Sequence, residues 1–168
     1  MKKFLLILIL ILILPTFTSR TSFGGDLFGQ GSTQFSLLVG SGSAFNNDYL
    51  ILGVGVNYYL LDGLGIGLSY ENWSGNSPRI NQTSPSIQYV FSQGYLVRPY
   101  VGAFYRNIAI ANQSSINSEG ARAGVYFTTA TNSVIGVGLA YEAYLNCQSA
   151  VFGGCSVIYP EIALLFGF

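Results

Sequence analysis

The nine residues Val134-Ile-Gly-Val-Gly-Leu-Ala-Tyr-Glu142 decide how this chain folds. Ile135, Val137, Leu139 and Tyr141 are large and apolar, whereas Gly136, Gly138, Ala140 and Glu142 between them are small or charged. A period of two is the signature of a β-strand, because successive side chains leave a strand on opposite faces. The same split recurs in three other places. Leu52, Val54, Val56 and Tyr58 alternate with Gly53, Gly55, Asn57 and Tyr59; Leu64, Ile66, Leu68 and Tyr70 with Gly65, Gly67, Ser69 and Glu71; Ile162, Leu164, Phe166 and Phe168 with Glu161, Ala163, Leu165 and Gly167. Glycines and charges on the inner face, with bulky apolar residues outside, reverse the pattern of a water-soluble barrel and suit a surface that faces lipid.

Composition supports that surface. The chain has 168 residues, of which 8% are charged, 15% aromatic and 21 in number glycine. Ordinary soluble domains carry roughly 25% charged residues, and a globule this poor in charge would associate through exposed apolar patches. Lipid removes that difficulty. The length allows one domain.

Eight strands are legible: Thr33 to Gly42, Tyr49 to Leu60, Leu64 to Trp73, Thr83 to Phe91, Tyr95 to Ile108, Glu119 to Thr128, Val134 to Leu145 and Val157 to Phe168. The expected connections alternate between short (Leu61 to Gly63, Ser92 to Gly94, Thr129 to Ser133) and long and polar (Ser43 to Asp48, Ser74 to Gln82, Ala109 to Ser118, Asn146 to Ser156). Outer-membrane barrels have short periplasmic turns and longer external loops, so the pattern predicts an all-β, eight-stranded antiparallel up-and-down transmembrane β-barrel with periplasmic termini. Tyr70, Trp73, Tyr105, Tyr141 and Tyr144 are expected as an outer aromatic girdle, and Tyr58, Tyr59, Phe91, Tyr95 and Phe168 as the inner one. The inward glycines should leave room for Tyr59 and Tyr100 in a barrel only just wide enough for its own side chains.

Lys2 and Lys3, the apolar run Phe4 to Leu14 and the small, polar stretch from Pro15 to Ser22 have the order of a secretory signal peptide. The run of about eleven residues falls short of the roughly 20 needed to span a bilayer as a helix. Residues 1–19 are therefore expected to be a signal peptide cleaved between 18 and 22, residues 20–32 a short periplasmic segment, and residues 33–168 the barrel. Without Lys2 and Lys3 there remain five arginines and seven acidic residues, a net charge of −2, with no basic patch for nucleic acid.

Alternation places Glu71, Arg98, Arg106, Arg122, Glu142 and Glu161 on the inward face, three acids with three arginines. A lone charge in a narrow, poorly hydrated lumen costs several kcal/mol, so a neutral ion-pair network plugging the lumen is expected. Glu71, Arg106, Arg122 and Glu142 should lie in its outer half, with Arg98 alone lower down and Glu161 between. Pro99 lacks a ladder donor and would shift the parity around Arg98 if it marked a bulge. Cys147 and Cys155 share the last long loop; an oxidising compartment makes a disulfide the default.

The ending Ile162-x-Leu164-x-Phe166-x-Phe168 resembles the terminal-strand signal read by the bacterial barrel-assembly machinery. From about residue 25 onward the chain resembles small outer-membrane barrels of the OmpA/OmpX type, and Arg98-Pro-Tyr-Val-Gly-Ala-Phe-Tyr105 looks like a strand common in that group. The resemblance implies a bacterial outer-membrane location, monomeric assembly in lipid and lipopolysaccharide, and no cofactor or metal. Some such barrels modify lipid A with a histidine base, but this chain has no histidine. No Gly-x-Ser-x-Gly elbow or phosphate loop appears either. A non-enzymatic structural or surface-interaction role through the external loops is expected. The alternative is a small channel resembling the OmpW group, passing hydrophobic molecules, with Leu38, Ile51, Phe104 and Leu165 lining a pocket.

Overall fold

The computed structural model describes residues 27–44, 47–91, 96–130, 132–145 and 154–167. Eight strands form one closed antiparallel sheet in sequence order: β1 (Thr33–Ala44), β2 (Asn47–Leu61), β3 (Leu64–Ser74), β4 (Ile80–Val90), β5 (Val97–Ile110), β6 (Ile116–Ala130), β7 (Ser133–Tyr144) and β8 (Ser156–Gly167). β1 closes the barrel against β8. Register partners lead from Gln34 through Asn57, Gly67, Ser86, Phe104, Gly120 and Glu142 to Val157, while Gln34 itself pairs with Gly167. One circuit thus returns ten residues away along β8. That stagger tilts the strands and, with eight of them, leaves an interior that side chains fill.

The two faces separate as the alternation requires. Leu37, Leu52, Val54, Ile66, Leu68, Val101, Val137, Leu139, Ile162, Leu164 and Phe166 are exposed on the outside. Gln34, Glu71, Gln82, Ser84, Gln88, Arg106, Ser118 and Glu142 are buried inside. An apolar exterior around a polar interior defines a transmembrane barrel. No helix among the described residues is long and apolar enough to cross a membrane.

Several expectations about the ends change. β1 and β2 are joined across residues 45–46 alone, and β4 and β5 across residues 91–96, so connection length does not alternate cleanly. β1, β2, β4, β5 and β6 each run two or three residues further toward the loops than the apolar pattern does. The ladder joins backbone groups and needs no apolar side chain, so it continues through Ser43, Asn47, Asn81 and Asn117 after the period-two signal has stopped. Pro99 produces no bulge: β5 and β6 stay in register from Val97 to Ile108, and Arg98 keeps the inward parity of Tyr100. Register shifts fall at Tyr59/Leu61 and Thr128/Ala130 instead, beside the hairpins to β3 and β7. The first of these closes on Asp62-Gly63, where Gly63 has φ +78°, a backbone conformation open to glycine.

Candidate functional site: the filled lumen

Starting from the mouth that carries the long connections, the lumen is closed first by an apolar layer. Tyr49, Trp73, Ile80, Ile108, Ile110 and Ile116 pack together there, with Ile51 and Tyr144 against them. Trp73 and Tyr144 therefore point inward, away from the girdle expected of them. Tyr70, Tyr105 and Tyr141 do lie on the exterior.

Beneath that layer Arg106 gathers the sheet onto one guanidinium. Its Nε donates to Ser84 Oγ on β4 (2.9 Å), its Nη1 to Glu142 Oε2 on β7 (2.9 Å) and Tyr159 Oη on β8 (2.9 Å), and its Nη2 to Glu71 Oε1 on β3 (3.2 Å). Glu142 also accepts from Ser118 Oγ on β6 and from Tyr159 Oη (3.0 Å). Six strands meet at this cluster, and Arg106 is 2% exposed. A buried charge survives only with partners of this kind, and a guanidinium offers five donors in a fixed fork. Phe104, two residues earlier on the inner face of β5, puts its ring 4.8 Å from the Arg106 guanidinium and 4.7 Å from that of Arg122. Arg122 pairs with Glu161 more loosely, at 3.7 Å, and its buried Nε has no hydrogen-bond partner.

The six charges read as one network thus occupy three places. Glu71, Arg106 and Glu142 share the central cluster; Arg122 and Glu161 form a separate pair. Arg98 stands near the opposite mouth, where it is not alone: its guanidinium lies 5.1 Å over the ring of Phe28.

Below the charges the lumen is aromatic. Tyr59, Tyr100 and Tyr126 cross it with Val90, Val134 and Leu165, and Phe28 completes the cluster. Their rings occupy the places that glycines vacate. A Cβ at Gly136 would come within 2.7 Å of the Tyr126 ring, and one at Gly124 within 2.9 Å of the Tyr100 ring. The polar tips are used: Gln88 Nε2 donates to Tyr59 Oη (2.7 Å), Tyr126 Oη to Gln88 Oε1 (3.1 Å) and Tyr59 Oη to Gln34 Oε1 (3.3 Å). Tyr59 is wholly buried here, so it serves the lumen and not the inner girdle.

Sequence reasoning missed Phe28. Residues 27–32, part of the segment expected to be periplasmic, fold into the barrel mouth. Gly63 N–H donates to Phe28 O (2.8 Å), Gly31 N–H to Tyr59 O (2.8 Å), and Gln34 Nε2 to Leu27 O (2.8 Å). The Phe28 ring then stacks on Tyr126 at 5.2 Å and meets Tyr59 edge-on at 5.6 Å. The available signal was a lone aromatic in Leu27-Phe-Gly-Gln-Gly31, where two glycines permit the chain to turn back.

Between the ion pairs and the tyrosines lies a cavity of about 30 Å³, lined in part by Ser36, Ser69, Ser86, Gln88 and Arg122. That is room for about one water molecule. Leu38 and Leu165 border it, whereas Ile51 packs against the isoleucine layer and Phe104 against the guanidinium groups of Arg106 and Arg122, so these four lie at different levels of the lumen.

Of the remaining expected site residues, Ile162, Leu164 and Phe166 face outward, and Phe168 lies outside the described residues. Cys155 precedes β8, and its carbonyl accepts from Tyr144 N–H (2.9 Å). Cys147 and the cleavage region also lie outside the described residues.

No family model matches the chain, and no curated protein matches it. Solved structures do. The N-terminal β-barrel domain of OprF from Pseudomonas aeruginosa superposes with a TM-score of 0.66 at 22% identity, over 83% of this chain and 99% of that one. Neisserial surface protein A gives 0.60 at 15% identity, over 82% and 96%. Ail, the attachment invasion locus protein of Yersinia pestis, gives 0.52 at 16% identity, over 83% and 99%. The chain has the fold of these small outer-membrane β-barrels, the OmpA/OmpX-type architecture.

Proposed function

We propose that this chain is a non-enzymatic structural or surface-interaction barrel of the bacterial outer membrane, with a lumen plugged by buried ion pairs. The observation that carries the reading is Arg106, 2% exposed and bonded to four other strands between an isoleucine layer and a tyrosine layer. A conducting path needs continuous water, and charges lining it need not be saturated by one another. The packed apolar layer above the charges and the aromatic layer below them also weigh against a route for hydrophobic molecules through the lumen. Function is grafted onto a fold through its loops, and two of the similar structures are named for surface or attachment roles.

The same reading includes export by cleavage of residues 1–19 and assembly through the Ile162 to Phe168 strand by the barrel-assembly machinery. It includes a Cys147–Cys155 disulfide in an external loop, a monomer surrounded by lipid and lipopolysaccharide, and a loop-borne surface ligand. The test is planar-bilayer conductance and urea unfolding of the purified chain beside its Arg106→Ala variant. A closed wild type and a destabilised variant support the plug. Steady ion-selective conductance in the wild type overturns it.

A further inference from the structure

The seam that closes the barrel is joined along part of its length. β1 and β8 pair from Gln34↔Gly167 to Val39↔Ile162, yet β1 continues to Ala44 and β8 begins at Ser156. In the same register Gly40 to Ala44 would face Glu161 to Val157, and among the described residues no such pairs form. Bond directions show where the ladder stops. Tyr144 N–H donates to Cys155 O (2.9 Å), so odd-numbered residues of β8 bond β7 and even-numbered ones turn toward β1. Pro160 therefore aims a nitrogen without hydrogen at Ser41, the next bonding position past Val39↔Ile162. Pro85 aims its nitrogen at β5 in the same way; there pairing lapses at Ser84 and Pro85 but resumes at Thr83↔Asn107. Past Pro160 it does not resume.

The two free edges differ. Tyr59 N–H donates to Ser32 O (3.0 Å), so even-numbered residues of β1 bond β2, and the N–H and C=O groups of Ser41 and Ser43 turn toward the unpaired stretch. Natural sheets blunt a free edge with charge, proline or a bulge. The β8 edge has Pro160. The β1 edge, Gly40-Ser-Gly-Ser-Ala44, is uncharged, holds no proline and keeps unbroken register with β2 to Ala44↔Asn47. Its residue types are small, and glycine in a strand admits the close approach of another backbone. On the β8 side Ile158 is 68% exposed, and Val157 is 37% exposed although its register partner Glu142 is 2% exposed. A strand laid on β1 would find four backbone groups to bond and an apolar side chain beside each of its faces.

We propose that the β1 edge at Ser41 and Ser43 is a strand-addition site for an extended, uncharged segment of a partner polypeptide. On the outer-membrane reading, on which this choice of occupant rests, a second copy is the poorer fit. Copies in one membrane are related by rotation about its normal, so two β1 edges would run parallel, the less stable pairing, and a second copy's β8 edge carries the same proline.

The purified chain in detergent micelles would be titrated with a fluorescent peptide alternating valine and threonine, and with the same peptide N-methylated throughout. Readouts are fluorescence anisotropy and amide exchange by NMR. The plain peptide should bind and slow exchange at Ser41 and Ser43, leaving Leu37 and Val39, already paired to β8, unchanged. N-methylation should weaken binding about tenfold, as expected of losing two backbone bonds. Ser41→Pro, which removes a donor turned away from β2, should weaken it as well; should that variant fail to fold, the comparison of the two peptides on the wild type decides. The proposal is overturned by absence of binding, by Ser41 and Ser43 amides as protected in the free chain as Leu37, by binding indifferent to N-methylation or to Ser41→Pro, or by a dimer that the peptide dissociates. Failure to form a heat-modifiable barrel would instead strike the outer-membrane reading.

Discussion

The two halves of the lumen solve one packing problem by opposite means. Toward the loops, strands are tied through ions: Arg106 binds Glu71, Glu142, Ser84 and Tyr159, and its worth depends on every partner being present. Toward the termini they are tied through shape: Tyr59, Tyr100, Tyr126 and Phe28 fill hollows left by Gly65, Gly124 and Gly136. A charge network fails through an uncompensated partner, a knob-and-hole core through a void or a clash. Substitutions in the two halves should therefore differ in size and in how they are rescued.

The largest effect is expected in the ionic half. Arg106→Ala leaves two buried carboxylates without their cation, and removing one member of a buried ion pair costs about 3–5 kcal/mol. Replacing Arg106, Glu71 and Glu142 together by methionine should recover much of that loss, since apolar substitution of a buried ionic group is often neutral or stabilising. Urea unfolding in detergent micelles measures both. If the triple variant is no more stable than the single, the network is held by packing rather than by charge balance.

Phe28→Ala is the matching probe of the other half. Truncating a buried phenylalanine in a packed core costs about 3–5 kcal/mol. Unlike the ionic case, no second truncation should rescue it. Recovery on adding Tyr126→Ala would break the contrast between the halves.

The strand faces were legible because the period of two survives in every strand, and the same parity put all six charges inside. Which charges meet was not. Pairing across the lumen depends on the ten-residue stagger, which no single strand encodes. Strand ends were misjudged where the ladder runs on through polar residues, as at Asn81 and Asn117, and Trp73 was assigned outward by its place near a strand end although it shares the inward parity of Glu71. Phe28 lies in a segment without alternation; what buries it is a pair of backbone bonds to Gly63 and Tyr59 that join residues far apart in sequence.

Gly124→Ala sharpens the shape half. The added Cβ would fall 2.3 Å from Val137 O, a backbone atom that cannot step aside as a side-chain tip can. Overpacking of this kind costs about 1–3 kcal/mol. Thermal unfolding should show the loss, and Tyr100→Phe should not relieve it, because the carbonyl and not the ring is the fixed obstacle. A wild-type midpoint for Gly124→Ala would mean that the hollows are looser than the ring contacts imply.

The smallest effect separates two arginines that share one phenylalanine. Arg122 lies as close to the Phe104 ring as Arg106 does, and by sequence parity the two are equivalent. Their partners differ. The Arg122 to Glu161 contact is 3.7 Å, beyond hydrogen-bond reach, both side chains keep some exposure, 16% and 12%, and Arg122 lines a cavity that can take a water. Water there can solvate Glu161 once the guanidinium is gone, and the unpartnered Nε removes an unsatisfied donor with it. Arg122→Ala should therefore cost about 1 kcal/mol, well below the loss at Arg106, since a partly solvated pair recovers little on formation and forfeits little on removal. Glu161→Gln should cost about as little, and the two changes combined should add almost independently. Urea unfolding of the two single variants and the double variant gives the coupling energy directly. A coupling as large as the loss in Arg106→Ala would place Arg122 and Glu161 within the dry network after all, and the distinction between a saturated central cluster and a loose flanking pair would fall.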